Sequence, residues 1–485
     1  MSASTDSESL RHYLELSGRR GEPLVGGHHG AAGGAACGDL IRISLIAAGG
    51  RIERTSSDAE GCATARAAAA ATAALAEGAT VLEVASLGPE EIAAELGGLG
   101  PQGRHAVELA ADALHRALAG LAGSGEPLAD RRDTGERVLV ALSGGVDSAV
   151  AALRERDRGA EVVAVTLKLW ADRRTDEAKS CCSPTAVLGA RRLAHGLGIP
   201  HLTLDLEHDF RARVVGAFVD GYRAGETPNP CVICNGELRI DAMLALAERL
   251  GCDALATGHY ARLADDGEGP LLAAAADPAK DQTYMLSGLR PGSLARLRFP
   301  LSELSKPEVR ELAAAAGLPV AGKAESQDLC FLAGEGKRSF LARHGGLADS
   351  PGPVVDRRGR TIGRHRGHHA YTVGQRRGLE VASAEPLYVL ATDAAANTVV
   401  AGSREELATR RVRVRGATLH RPGGRVDRVL LRYHSRPLAC ELPAVEAGEH
   451  AALELELSEP AYGVAPGQTA CLLAGDLVVG RATIA

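Results

Sequence analysis

The stretch RVLVALSGGVDSAVAALRER, residues 137–156, decides the fold. Six apolar-rich residues, Arg137–Leu142, read as a buried strand. The chain then turns through Ser143-Gly144-Gly145-Val146-Asp147-Ser148 and opens a helix. A glycine-rich strand-to-helix turn lets backbone N–H groups approach a phosphate, and the helix N-terminus adds a favourable field. Ser143 and Ser148 bring hydroxyl donors, and the Asp147 carboxylate suits Mg²⁺. The turn lacks the lysine of the Walker sequence, so it is a different phosphate loop.

Working outward, EVVAVTLKLW (161–170), HLTLDL (201–206) and CDALATGHY (252–260) repeat the short apolar run, with helical stretches between them. Strands alternating with helices predict a doubly wound parallel sheet over 137–290. Residues 291–317 read as helical, inside a small middle domain spanning 291–350. After about 350 the chain turns to short strands with Gly and Pro turns, predicting a β-barrel region over 351–485. Ahead of the sheet, 22–121 reads as a separate α+β unit. DLIRISLIAAGGRIERTSSDAEG (39–61) forms two strands about a Gly-Gly turn, and helices follow it. The polar segment 122–136 reads as a linker.

The 485 residues carry a net charge of −6 and are 45% hydrophobic and 24% charged, an ordinary globular composition. No apolar stretch is long enough for a membrane span, and the polar, acidic start is no secretory signal. Ten cysteines are too few for a disulfide scaffold, so the expectation is a cytoplasmic protein with reduced thiols. The charge is uneven. Residues 1–130 carry −8, which leaves +2 for the rest. Seven arginines crowd into 356–377 and eight into 410–432. These read either as a polyanion-binding surface or as solvated arginine. The acidic first unit is expected to dock on a basic face, with 122–136 as its tether.

Thr227-Pro228-Asn229-Pro230-Cys231-Val232-Ile233-Cys234-Asn235 holds a C-x-x-C pair, suited to metal or redox work. No second pair at zinc spacing accompanies it. Cys330, in Glu325-Ser326-Gln327-Asp328-Leu329-Cys330-Phe331, is the remaining cysteine in distinctive company. Three such thiols suit a persulfide relay or three ligands of an iron–sulfur cubane. Cys181 and Cys182 sit in a loop with no assigned role. Cys252, Cys440 and Cys471 lie in apolar runs and read as core.

SGGVDS resembles the signature of the PP-loop ATP pyrophosphatases, which leave an adenylated substrate. From 137 to 485 the chain resembles the tRNA 2-thiouridylases of the MnmA/TrmU type. The resemblance rests on SGGVDS, CCSPTAVLGARRLAHGLGIP (181–200), TPNPCVICN (227–235), ATGHYARL (256–263), KDQTYML (280–286), SQDLCFL (326–332), YTVGQRRGL (371–379) and RYHSRP (432–437). It implies ATP on Ser143, Gly144, Gly145, Asp147 and Ser148, adenine beside Leu167 or Leu169, and backbone contact at Gly258. It implies adenylation of O2 of a tRNA wobble uridine, Cys234 as nucleophile and Cys330 as persulfide carrier. Asn229, Pro230 and Cys231 would flank the target base. His259, Lys280, Asp281, Gln282, Arg432, Tyr433 and Gln468 would contact tRNA. Many relatives have Asp at position 231. With Cys231, Cys234 and Cys330, a [4Fe–4S] cluster and a Cys330 persulfide stand as alternative sulfur sources, fed by a cysteine desulfurase or another sulfur donor.

Residues 22–121 resemble the IscU/NifU-N iron–sulfur scaffolds, through Ala36-Cys37-Gly38-Asp39, Gly61-Cys62-Ala63-Thr64-Ala65, and Leu96-Gly97-Gly98-Leu99 before Arg104-His105. The implied ligands for zinc or an iron–sulfur group are Cys37, Asp39 and Cys62. The family's third cysteine is Ala106 here, with His105 beside it as a substitute. Two other classes remain open from the residues: an iron–sulfur carrier or tRNA-binding protein with a vestigial PP-loop, and a PP-loop synthetase acting on a small molecule.

Overall fold

A computed structural model of the chain describes residues 8–17, 21–34, 38–101, 103–170, 172, 183–323, 329–332 and 334–485. The fold is multidomain, as expected: an α+β unit, a parallel-sheet unit, a small middle sheet and a closed barrel; the middle sheet falls at 352–402, inside the stretch expected to belong to the barrel region, and not at 291–350.

The first unit has an antiparallel sheet of His28–Gly33, Leu40–Ala48 and Arg51–Glu60, in that order. Gly49 and Gly50, at φ 54° and 76°, make the tight turn between the last two strands. His28–Gly33 was not anticipated, because HHGAAG carries none of the β-branched signal of a strand. Its small residues serve packing instead. A Cβ on Gly30 would lie 1.9 Å from the carbonyl oxygen of Ala113, so only glycine lets the helix Arg104–Ala122 lie this close.

The parallel sheet runs Leu297–Arg298, Ala254–Thr257, Arg137–Ala141, Glu161–Lys168, His201–Asp205. Chain order reverses between Arg137–Ala141 and Ala254–Thr257. A crevice therefore opens beyond their carboxyl ends, which is where doubly wound sheets bind ligands. The 143–148 turn and Gly258 lie there. Residues 297–298 add a fifth strand, and the helix Lys306–Ala315 packs on Val146–Asp157, so this layer extends past 290. A two-residue strand leaves no periodicity to read.

The middle sheet orders Thr361–His365, Gly352–Val355, Thr398–Gly402, Tyr388–Asp393. Beyond it, six strands between Ala408 and Ile484 close a barrel, with Ala408–Leu419 pairing Leu477–Ile484. The hairpin Arg262–Asp265/Pro270–Ala273 extends the barrel sheet from the parallel-sheet unit. Arg421 clamps that hairpin through Asp266, at 2.6 and 3.0 Å.

Residues 122–136 connect the first two units and are pinned along their length. The Arg249 guanidinium donates to the carbonyls of Leu121, Ala122 and Glu126, Leu128 is fully buried, and Arg137 donates to the Asp130 carbonyl. The first unit is thus a fixture and not a tethered body. Its helix Arg104–Ala122 packs on His201–Asp205, the edge strand of the parallel sheet. Covering an edge strand also blocks pairing with other chains. Arg191 meets Asp112 at 3.0 Å and Arg192 meets Glu108 at 3.6 Å. His195 and His115 hydrogen-bond the carbonyls of Ala85 and Leu87. Burial holds both imidazoles below their usual range, so both are neutral N–H donors. Arg191→Met should cost about 1–3 kcal/mol, because it removes a charged hydrogen bond from a nearly enclosed site. Urea unfolding reads this as a lowered midpoint, and an unchanged midpoint would mean that the contact is idle.

Among the described residues, no helix is long and apolar enough to cross a membrane.

Candidate functional site

The phosphate-loop candidate is built from the turn's own backbone. Gly144 has φ 71°, a conformation side chains rarely adopt. The Ser148 hydroxyl donates to the Gly145 carbonyl at 3.0 Å and accepts from the Ser143 N–H at 3.1 Å, fixing the cup. A Cβ on Gly258 would lie 2.7 Å from the Ser148 nitrogen, so this glycine lets the two carboxyl-end loops meet. Leu167, on the neighbouring strand, and Leu169, just past its end, are buried.

Asp147 differs from the expectation of a magnesium ligand. Lys306 Nζ lies 2.6 and 2.8 Å from its two oxygens, and the Tyr260 hydroxyl donates to Oδ1 at 2.8 Å. Both oxygens are engaged, so a Mg²⁺ at this carboxylate would compete with the Lys306 ammonium. Lys323 adds a second ammonium, donating to the Gly144 carbonyl at 2.9 Å. Sequence reading missed both lysines, although a signal existed: the chain has six Lys against 49 Arg. Where composition runs so strongly to arginine, each lysine is a place to look.

The thiol helix Pro230–Cys234 begins with proline and is capped by Asn229, whose Oδ1 accepts from the N–H groups of Cys231 and Val232. It runs into a wide π-helical turn, Asn235–Arg239. Irregular turns of this kind gather at functional sites. Asn235 donates to the Met285 carbonyl and accepts from Arg239. A Cβ on Gly236 would meet the Gly288 backbone at 2.8 Å, so the helix is seated tightly. Burial pushes the Cys231 thiol up, while the Arg239 guanidinium pulls it down. Arg239 also opposes protonation of His259, which burial and this charge lower to about 3. Tyr433, from the barrel, stacks on Tyr284 and is raised mainly by burial, with Asp281 and Cys231 adding to the effect. Cys231, Arg239, His259, Asp281 and Tyr433 therefore share one neighbourhood, joined through Gly258 to the phosphate loop.

Cys330 is half-buried and Cys234 buried, and neither is in a disulfide. The segment around Cys330 is held by Phe331, which packs on Phe210, Phe218 and Phe340. Residues 324–328 of that motif, and Cys181 and Cys182, lie outside the described residues. Cys252, Cys440 and Cys471 are buried, as expected of core thiols.

Family profiles match in four blocks. The tRNA methyl transferase HUP domain matches 136–334, the tRNA methyl transferase PRC-barrel domain 338–403, and the aminomethyltransferase beta-barrel domain 424–484. The NifU-like N terminal domain matches 18–124. The bifunctional protein NifU/MnmA of Rubrobacter xylanophilus is 46% identical over 475 residues, 95% of each chain. The chain belongs to the NifU/MnmA family. The tRNA-specific 2-thiouridylases MnmA of Sorangium cellulosum and Acidithiobacillus ferrooxidans are 42% and 43% identical, over 73% and 71% of this chain and 94% and 97% of theirs.

In the MnmA-like part, several residues expected to contact RNA are half-buried and hydrogen-bonded within the protein. Gln468 donates to the Thr227 carbonyl at 2.6 Å. Asp281 accepts from the Ala275 N–H and the Thr283 hydroxyl, and Gln282 accepts from the Tyr260 N–H. Arg432 is exposed, and Lys280 is half-buried.

In the NifU-like part, Asp39 and Cys62 meet. Asp39 accepts from the Cys62 N–H at 2.7 Å and from its thiol at 3.3 Å. Cys37 lies outside the described residues. His105 is exposed at the start of its helix, and Ala106 beside it is buried. Among the described residues His105 joins no group of three metal-binding side chains within 4.8 Å. The one such group among the described residues, Asp172, Glu335 and His344, is bridged by the Arg343 guanidinium, which ion-pairs with both acids.

Proposed function

We propose that the chain is a tRNA uridine 2-sulfurtransferase that uses ATP. The observation that carries this reading is the adjacency of the phosphate loop and the thiol helix across Gly258 and His259. It is supported by the chain's likeness to relatives named tRNA-specific 2-thiouridylases.

The uracil O2 attacks the α-phosphorus of ATP, and pyrophosphate leaves. The loop N–H groups, Lys306 and Lys323 stabilise the charge that leaves with it. AMP then becomes the leaving group that the carbonyl oxygen is not. A soft sulfur nucleophile attacks C2, and the base must leave its stack for this to happen. Cys330 carries the sulfur as a persulfide: its outer sulfur attacks C2 as AMP leaves, the Cys234 thiolate then attacks Cys330 Sγ and breaks the S–S bond to free the 2-thiouridine, and the Cys234–Cys330 disulfide so formed is reduced by an external thiol. The donor set also suits the other source: C-x-x-C places Cys231 and Cys234 one helical turn apart. Cys231, Cys234 and Cys330 would hold a [4Fe–4S] cluster, whose open iron supplies hydrosulfide when the cluster is bound. The sulfur enters from a donor such as a cysteine desulfurase, with the NifU-like unit as the docked receiver. The setting is the cytoplasm.

The test is mass spectrometry of unmodified tRNA incubated with the chain, ATP, a cysteine desulfurase with cysteine as the sulfane-sulfur donor, and a thiol reductant. Thiolation at the wobble uridine with release of AMP and pyrophosphate is expected. Pyrophosphate release with a small amine acceptor and no need for tRNA would replace this reading with a small-molecule synthetase.

A further inference from the structure

The two arginine-rich stretches look alike in sequence and differ in structure. Along the barrel strand Ala408–Leu419, Arg411 and Arg413 stand in register with Glu456 and Glu454 of the next strand, at 3.1 and 3.5 Å. Arg415 pairs with Glu226, Arg421 and Arg425 with Asp266, and Arg428 with Asp476. Most of the 410–432 charge is therefore cancelled within the protein. Such exposed pairs stabilise the fold little. They do remove the net positive field that an incoming phosphate would meet.

The middle sheet is arranged the other way. Arg364, Arg366, Arg376 and Arg377 are exposed, and among the described residues none has a carboxylate within 4.0 Å. Arg376 and Arg377 sit on the loop Tyr371–Gly378, which is rigid by construction. The Tyr371 hydroxyl donates to the Gly378 carbonyl, and Gln375 bonds the backbone at Thr372 and Arg377. This loop touches the thiol site's own approach: the Thr227 hydroxyl bonds the Thr372 hydroxyl at 3.2 Å, two residues before Asn229. Its other side rests on the barrel, where a Cβ on Gly374 would lie 3.1 Å from Gly463. Beyond Arg376 the chain lines a cleft of about 560 Å³, bounded by residues 376–387.

We infer that the loop Tyr371–Gly378 is the phosphate grip for the RNA strand entering the thiol site, and that the barrel's arginine ladder is structural. This rests on the tRNA reading above. Two guanidiniums on a braced loop, next to the Thr227–Cys234 segment, hold adjacent backbone phosphates bidentately and fix the register of the strand. Arg364 and Arg366 extend the same charge along the sheet.

The experiment is tRNA binding to the full chain between about 50 and 200 mM salt, the range over which phosphate contacts lose affinity. Three proteins are compared: wild type, the Arg376→Ala/Arg377→Ala double variant, and the Arg411→Ala/Arg413→Ala double variant. The loop variant should bind about 10–100-fold more weakly at low salt, with the log–log salt slope reduced by about 1.5. The ladder variant should keep the wild-type slope. Arg376→Lys/Arg377→Lys should restore most of the slope, because charge is retained. Equal melting temperatures exclude misfolding as the cause. An unchanged slope in the loop variant, or a reduced slope in the ladder variant, overturns the inference while leaving the proposed function standing. Salt-independent or absent tRNA binding by wild type would instead remove the proposed function itself.

Discussion

Cys330→Ser should leave no detectable 2-thiouridine, while tRNA-dependent ATP–pyrophosphate exchange stays within about threefold of wild type, because the lost thiol acts after adenylation. The geometry separates the two halves. Cys330 is seated by Phe331 in an aromatic cluster, and the phosphate loop is seated by Ser148, Gly258 and Lys323. A serine hydroxyl keeps the shape and hydrogen bonding of the thiol and cannot carry sulfane sulfur. Cys234→Ser should behave in the same way. Cys231→Ser then divides the two sulfur sources. A persulfide route tolerates it, whereas a cluster route loses both activity and the visible chromophore of anaerobically purified protein. If Cys330→Ser still thiolates with a cysteine desulfurase and cysteine as the donor, Cys330 carries no sulfur in this reaction.

The fold was legible wherever one pattern governed a long enough stretch. The strand and turn at 137–148 gave the parallel sheet and the crevice position, because buried parallel strands are continuous apolar runs. Several short strands escaped, among them two with clear reasons. His28–Gly33 is built of residues chosen for helix approach and not for strand propensity, and Leu297–Arg298 is shorter than any period. The site was legible where chemistry dictates residue type, as in the glycines and the cysteines. It was not legible where a residue acts through a distant partner. Lys306 lies 159 positions from Asp147, and no local pattern announces that pairing. The arginine stretches left two readings open for a related reason. Composition counts charges, whereas the field depends on whether a carboxylate stands across the strand, as Glu454 and Glu456 do.

Lys306→Met should lower ATP–pyrophosphate exchange by roughly 10²–10³-fold and leave tRNA binding unchanged, the scale seen when one preorganised charge is taken from an active site. Lys306 lies at the start of the helix Lys306–Ala315, capped by Ser305 and Glu308, and its ammonium is held against Asp147. In this arrangement Asp147 is the keeper of a cation at the mouth of the phosphate loop, with the Tyr260 hydroxyl as its second support. Asp147→Asn should therefore lose exchange to a similar degree: the amide preserves the Tyr260 contact, but Lys306 loses its anchor. Magnesium titration separates this account from one in which Asp147 is itself a metal ligand. Under the metal account Lys306→Met frees a carboxylate, so the variant should bind Mg²⁺ more tightly and recover exchange as Mg²⁺ rises. Under the keeper account added Mg²⁺ restores nothing, because the missing charge is the one the protein supplied. Recovery of Lys306→Met to wild-type exchange at high Mg²⁺ would return Asp147 to the metal and reduce Lys306 to a placeholder in its absence.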